Sequence, residues 1–441
     1  MSRLVLPYAL LMKIRTTLLA SEMEACAILF GRAVEENGRL LRLVIREAAF
    51  PTYEDYEVRS ETKARLKSTF VASLAQRVKR SGESIVFVHS HPFAHNEFSP
   101  IDDAGERPLK EFLSERTPDL WHAALLVTPA ATIARVLGPG ARLKVFGVGE
   151  RLTFDEGPGL SDPSDQFDRQ IRMFGRVGQE RLKTLRVGIV GLGGTGSIVA
   201  QQLAHLGIEN FLLIDPDQVE LSNLNRLVAA RRADVGLPKV QVAHRMVNEI
   251  NPDARVSTFE ESALLAQVAT RLIDVDFVFG CTDSQGSRAV LNQLSYQFLL
   301  PMIDMGVSIV AADGHVSHMA GRVNMLAAGL GCFVCGQLLN PEAVRVDLLT
   351  DFERAADPYV VGSREPAPAV ISLNSTVASL AVTMFLDAVL EIGASARFIN
   401  YNGISGAARP ASISPHPQCY VCSERGAFAQ AGAWPLPGRL K

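Results

Sequence analysis

The segment LRVGIVGLGGTGSIVAQQLAHLGIENFLLIDPD, residues 185–217, constrains the fold more tightly than any other part of the chain. A short β-branched strand runs into a turn with glycines at 191, 193, 194 and 196. An apolar helix follows, then a second apolar strand that closes on Asp215. Such a glycine-rich turn lets the chain adopt positive φ and lets helix and strand approach without side chains between them. The pattern reads as the βαβ unit of a nucleotide-binding sheet, with Asp215 placed as a ribose-binding acid. Further on, DVDFVFGCTD and LPMIDMGVSIV read as later parallel strands, apolar enough to be buried on both faces.

At roughly 150 residues per domain, 441 residues suggest two or three domains. The division falls at GERLTFDEGPGLSDPSDQFD, which is rich in Gly, Pro, Ser and Asp and lacks hydrophobic periodicity. The expected domains are 1–150 and 167–441, joined by a linker over 151–166. A hydrophobic share of 47% excludes disorder as the dominant state. Lys+Arg 44 against Asp+Glu 47 leaves a net charge of −3, so no nucleic-acid partner is expected. No stretch reaches about 18 uninterrupted apolar residues, so no membrane partner is expected. The start, MSRLVLPYALLMKIR, imitates a secretory leader. Lys13 and Arg15 close its apolar run and no small-residue cleavage site follows, so it reads as a first helix. Six cysteines, four of them in two C-x-x-C pairs, point to metal in a reducing compartment, hence the cytoplasm.

The first domain alternates strands and helices. ACAILFGR, RLLRLVIREAAF, SIVFVHS, HAALLVTP, TIARVLG and RLKVFGV are strand-like. SETKARLKSTFVASLAQRVKRSG reads as one amphipathic helix with Ser60 as N-cap, Leu66, Phe70, Leu74 and Val78 on its apolar face, and Gly82 as its stop.

His89 and His91 stand two apart at a strand end, so both imidazoles point to one side. Asp102 can complete the set from the next helix. Two His and one Asp supply three zinc ligands and leave a fourth position open, the pattern of a catalytic site. Glu24 is placed to take a proton, with Glu22 as its competitor; Ser99 can hydrogen-bond an oxyanion. The pattern of Glu24 seven positions before Gly31, then His89-Ser90-His91-Pro92, Ser99 and Asp102, resembles the JAMM motif of JAB/MPN metalloproteases. The resemblance covers most of residues 1–150 and favours Glu24 over Glu22. It implies Zn²⁺ on His89, His91 and Asp102, Glu24 as general base and acid, and Ser99 stabilising the intermediate. It also implies cleavage of peptide or isopeptide bonds after the C-terminal glycine of ubiquitin-like proteins.

A lone G-x-G-x-x-G of Gly191, Gly193 and Gly196 would ordinarily suggest a dinucleotide. Its neighbours point elsewhere. Arg226 and Lys239 suit a triphosphate, and Asp283 at a strand end can hold Mg²⁺. From about Arg169 to Cys422 the chain resembles the ThiF/MoeB-type adenylation domain shared with ubiquitin-activating enzymes. The resemblance implies an α/β, Rossmann-like domain with a mainly parallel sheet. It implies ATP on the glycine loop (Gly191, Gly193, Gly194, Gly196) and Asp215, phosphates on Arg226 and Lys239, and Mg²⁺ on Asp283. Asn223 and Arg288 would support the site. Arg169 would reach the ATP of a partner subunit, implying a homodimer.

Cys332-x-x-Cys335 and Cys419-x-x-Cys422 read as two knuckles of a closed structural zinc site, with disulfides or a redox centre as the alternative. The resembled family carries the same two knuckles with structural zinc. Its thioester-forming members place a cysteine between the first knuckle and the following helix; here that stretch has none. Two readings follow: the acyl-adenylate passes to an external nucleophile, or Ser363 forms an oxyester. Ser363 also reads simply as a loop serine beside Gly362.

Both halves would act on one chemical object, the C-terminal glycine of a ubiquitin-like protein. The expected function is a bacterial conjugation component joining peptidase and activating enzyme, working with a ubiquitin-conjugating-enzyme-like partner, in a setting that includes phage defence. The alternatives are sulfur-carrier activation for biosynthesis and an inert binding scaffold.

Overall fold

The computed structural model describes residues 2–93, 96–154, 165–357, 360, 367–393 and 396–439. Ser363 and most of the expected linker lie outside the described residues. The chain divides into two compact units, one of residues 1–157 with 297–299 and 427–435, the other of the remainder.

The first unit is built on β1 (Arg3–Pro7), β2 (Cys26–Glu36), β3 (Arg39–Ala49), a small hairpin of β4 (Tyr56–Ser60) and β5 (Lys63–Leu66), β6 (Ser84–Ser90), β7 (Ala123–Val127), β8 (Thr132–Val136), β9 (Arg142–Val148) and β10 (Leu152–Phe154). Its helices are α1 (Tyr8–Leu18), α2 (Ser68–Ser81) and α3 (Pro100–Arg116). The strands run in the order β1-β3-β2-β6-β7-β8-β9-β10, and β1 also pairs with β9, so the sheet closes on itself. Alternation sends the two faces of β2 and β6 to different cores. Ala27, Leu29, Val86 and Val88 join Leu11, Ile14 and Leu18 of α1. Ile28, Phe30 and Ile85, with Phe87 half-buried, join Leu74 and Val78 of α2 and Leu113 of α3.

Three expectations change here. The chain does not open on a helix: Leu4, Val5 and Leu6 are strand residues buried between β3 and β9, and α1 starts only after Pro7. The helix expected from Ser60 starts at Ser68, because Lys63–Leu66 pairs back onto Tyr56–Ser60. Ser60 is therefore no N-cap, whereas Gly82 ends the helix in the left-handed conformation at φ 66°. The first unit also continues past residue 150, since β10 pairs with β9.

The second unit contains α4 (Asp168–Thr184), β11 (Arg186–Val190), α5 (Gly194–His205), β12 (Asn210–Ile214), α6 (Lys239–Ile250), β13 (Arg255–Phe259), α7 (Ala266–Ala269), β14 (Phe277–Gly280) and α8 (Gln285–Gln297). Then come β15 (Met302–Ala312), β16 (His315–Leu326), α9 (Pro341–Leu348), α10 (Asp351–Ala356), α11 (Ile371–Leu390), β17 (Phe398–Asn402) and β18 (Ala407–Pro410). The sheet order is β13-β12-β11-β14-β15-β16-β17-β18. Neighbours from β13 to β15 are parallel and those from β15 to β18 antiparallel, so the parallel pairings outnumber the antiparallel ones and the sheet is mainly parallel, as expected, with an antiparallel side. The switch comes at the Asp313-Gly314 turn, where φ is 51° and 76°; two positive φ values make the tight turn that joins antiparallel strands. Helix α11 is long and apolar enough to cross a membrane, but 61% of its apolar window is buried inside this unit.

Candidate active sites

In the first unit the odd positions of β6 face α2 and α3, so His89 continues the line of Ile85 and Phe87 toward the first turn of α3. Ser99 is the N-cap of that helix, and Asp102 completes a capping box with it. Both Ser99 N and Ser99 Oγ donate to Asp102 Oδ2, at 2.6 and 2.8 Å. Asp102 Oδ1 lies 3.1 Å from His89 Nε2, and Asp102 Oδ2 lies 3.4 Å from His91 Nε2. Ligand atoms on zinc at about 2.0–2.2 Å stand about 3.3–3.5 Å apart, so these residues fit that ion. His89 Nε2 is moreover buried without a hydrogen-bond partner. Burial would raise the Asp102 carboxyl, but the close imidazoles of His89 and His91 outweigh it and hold the group far below the carboxylate range. The Ser99 hydroxyl thus serves Asp102 in this structure.

Glu24 is buried just before β2, with Oε1 3.8 Å from His91 Nε2. The β4–β5 hairpin holds it: Glu24 N donates to Ser60 O at 2.8 Å, and Arg59 Nε donates to Glu24 O at 3.1 Å. Burial pushes its carboxyl up against the opposing pull of His91 and His89, the direction a general base needs. Two residues beyond the expected set complete the centre. Ser90 is fully buried, and its Oγ accepts from Ala25 N at 3.0 Å, tying the Glu24 segment to the histidine strand. Phe98 meets the His89 ring edge-on, with centroids 5.8 Å apart. Ser90 was signalled by its place between the two histidines; Phe98 had no sequence signal. At the motif glycine, Gly31, a Cβ would lie 2.1 Å from Val44 O, so no larger residue fits the β2–β3 approach there.

In the second unit the glycine turn has the expected form. Gly191 has φ 89°, Gly193 caps α5, and a Cβ at Gly196 would fall 1.8 Å from Gly191 O. Nothing lies within 4 Å of where a Cβ of Gly193 would stand, which leaves open space before the helix N-terminus, as a phosphate needs. Asp215 directly follows β12, buried, and accepts from Leu192 N at 2.5 Å and Asp217 N at 2.8 Å. Burial raises its carboxyl, while Lys239 pulls it down. Lys239 starts α6 and pairs with Asp217 at 2.6 Å. Arg226 bonds Ser222 O at 2.7 Å, and its Cδ comes 3.5 Å from where a Cβ of Gly194 would stand. The Cys281–Thr282 backbone abuts Gly191, which brings exposed Asp283 to the same turn.

The remaining expected residues lie further out. Asn223 is buried, its Oδ1 accepting from Glu220 N at 3.2 Å. Arg288 is turned to Asp304, at 3.2 Å, which also receives Arg322 at 2.9 Å. Arg169 is exposed near the start of α4.

The four knuckle cysteines converge. Sγ separations are 3.5 Å for Cys332–Cys419, 3.4 Å for Cys335–Cys422 and 3.7 Å for Cys332–Cys335. Tetrahedral zinc with Zn–S of about 2.3 Å sets sulfurs about 3.8 Å apart, and no disulfide joins any of them. Burial raises Cys281 steeply and pushes Cys26 up to about 12.

Residues 167–421 match the ThiF family, and residues 9–136 match the prokaryotic homologs of the JAB domain. The molybdopterin-synthase adenylyltransferase of Escherichia coli is 30% identical over 273 residues, spanning 60% of this chain and 100% of that protein. Ubiquitin-like modifier-activating enzyme 5 of rice is 29% identical over 264 residues, spanning 54% of this chain and 56% of that one. In Drosophila persimilis the same enzyme is 26% identical and 66% covered, so the chain spans a little over half to two thirds of these two activating enzymes. The crystal structure of E. coli MccB with MccA-N7isoASN shares the fold, at a TM-score of 0.50 and 20% identity over 59% of this chain and 76% of that one. The chain belongs to the ThiF family and carries a JAB-like domain ahead of its ThiF domain.

Proposed function

We propose that the second unit adenylates the C-terminal glycine of a ubiquitin-like protein, and that the first cleaves peptide or isopeptide bonds after such a glycine. The observation that carries the first activity is the convergence of Arg226 and the Asp283 loop on the open glycine turn of α5. Amides of the turn and the cations Arg226 and Lys239 would hold the triphosphate. The glycine carboxylate oxygen attacks the α-phosphorus, the bond to the bridging oxygen breaks, and pyrophosphate leaves with that electron pair. Mg²⁺ held by Asp283 would neutralise phosphate charge. Asp215 would take the ribose, with Asn223 and Arg288 supporting the site, and Arg169 would complete a partner subunit's site in a homodimer.

In the first unit zinc held by His89, His91 and Asp102 would supply Lewis acidity. Glu24 would move the proton, from water to the leaving amine, and Ser99 would keep Asp102 oriented while lying near enough to steady an oxyanion. A second zinc on Cys332, Cys335, Cys419 and Cys422 would be structural. We place the enzyme in the cytoplasm, in a bacterial conjugation pathway with a conjugating-enzyme-like partner and a part in phage defence.

A second reading, sulfur-carrier activation, is favoured by the match that spans the whole bacterial adenylyltransferase and by the absence of cysteine between Cys335 and Cys419. Intact-mass analysis with Mg·ATP and a candidate carrier separates the cases. A hydroxylamine-labile adduct that persists in thiol and is lost in Ser363→Ala supports the oxyester route. Carrier-AMP without an enzyme adduct supports transfer to an external nucleophile. No turnover of any carrier with an exposed terminal glycine, together with no zinc, leaves only a scaffold.

A further inference from the structure

The loop that carries Asp283 is held from outside the nucleotide-binding half of the sheet. Ser284 caps α8, its Oγ accepting from Ser287 N at 3.1 Å. The same hydroxyl donates to Asp347 Oδ2 at 2.9 Å, and Gly286 N donates to that oxygen at 3.1 Å. Asp347 is buried near the end of α9, and a Cβ on Gly286 would stand 2.8 Å from the Asp347 Cβ. Gly286 therefore makes the approach of the carboxylate possible. The far end of α9 is tied to the same place, where Asn340 N donates to Gln285 Oε1 at 3.2 Å. Arg439 fixes the backbone, donating to Asp347 O and, at 3.0 Å, to Leu348 O.

We propose that Asp347 is a positioning residue for Asp283, and that α9 thereby sets the divalent-cation affinity of the nucleotide site. This rests on the adenylation reading above. The first amides of a helix attract a carboxylate. Asp347 meets that demand at the start of α8, so Asp283, two residues before the helix, stays exposed and available to a cation. Without Asp347 the unpaired donors of Ser284 and Gly286 draw Asp283 onto the helix end and away from the phosphates.

The test is calorimetric titration of the full chain with ATP over a range of Mg²⁺, for the wild type, Asp347→Ala, Asp347→Asn and Ser284→Ala. Asp347→Ala should need about 10-fold more Mg²⁺, or above, to reach half of the wild-type ATP affinity. Saturating Mg²⁺ should restore that affinity. Asp347→Asn, which keeps one acceptor oxygen, should fall between. Ser284→Ala, which breaks the link from the other side, should shift the same way even where Asp347→Ala fails to fold. An unchanged Mg²⁺ requirement in folded variants overturns the proposal. So does an affinity loss that Mg²⁺ does not restore, since that marks a purely structural role. A wild type that binds no Mg·ATP overturns the adenylation reading and this proposal with it.

Discussion

Asp102 takes two hydrogen bonds from Ser99 on one oxygen and faces His89 with the other, at 3.1 Å. The helix cap and the candidate metal ligand are thus one side chain. Ser99→Ala removes the hydroxyl that orients Asp102. Zinc affinity of the first unit should fall about 10-fold, as it does when an outer partner of a ligand is lost. The fold should lose about 1 kcal/mol with the cap. Competitive zinc titration and thermal unfolding read the two effects; unchanged zinc affinity would show that Asp102 needs no support from Ser99.

Glu24 touches the centre without being placed as a ligand. Glu24→Gln keeps the shape and removes the proton acceptor, so zinc stoichiometry should stay at the wild-type value. Hydrolysis of a glycine-terminated ubiquitin-like fusion should drop by about 10²- to 10⁴-fold. Loss of zinc from this variant would make Glu24 a ligand instead.

His122 gives the first unit an acid limit. Its Nδ1 accepts from Ile85 N at 3.0 Å, its Nε2 lies 3.0 Å from Thr117 Oγ1, and the ring is buried. Burial lowers its pKa from 6.5 to about 4. A folded pKa below the unfolded one means that the unfolded chain binds the proton more readily, so the contribution is fully present above pH 6.5 and is lost as pH falls toward 4. About 3 kcal/mol should go over that window. Both tryptophans, Trp121 and Trp434, belong to this unit, so denaturant unfolding followed by their fluorescence reports it. His122→Gln should flatten the slope between pH 6.5 and 4; an unaltered slope would assign it to other groups.

The glycine turn predicts opposite behaviour for two neighbouring alanines. At Gly196 a Cβ collides with Gly191 O, so Gly196→Ala should destabilise the second unit by about 1–3 kcal/mol. At Gly193 it meets nothing, so Gly193→Ala should unfold like the wild type yet bind ATP less tightly, because the methyl occupies the open space before α5. Normal ATP binding by folded Gly193→Ala would move the phosphates away from this turn.

Periodicity and motif spacing reached most of the architecture and the clustering of the candidate ligand side chains, because those signals are local. The strands SIVFVHS and RLKVFGV are found as read, and the histidine, aspartate and cysteine sets come together as their spacing implied. What was not legible depended on distant pairing. Lys63–Leu66 carries helical periodicity, but β4 lies across from it and makes it a strand. That hairpin in turn holds Glu24, so the misread segment supports the site. Leu4–Leu6 reads as helix until β3 and β9 are seen on either side. Asp347 gives no local sign of its link to Ser284, 63 positions away. Asp313-Gly314 was a readable hairpin signal, and it marks where the sheet leaves its parallel part.

The pairing of β1 with both β3 and β9 also bears on self-association. A strand at a sheet margin offers a row of bare amides and carbonyls to any other chain. Here β1 covers two such margins at once, and it is held by only five residues, Arg3–Pro7. If that short strand were pulled out, β3 and β9 would each become a template for strand exchange between copies. The margins of β3 and β9 are therefore covered by one strand of five residues, and heating that releases it would bare both at once.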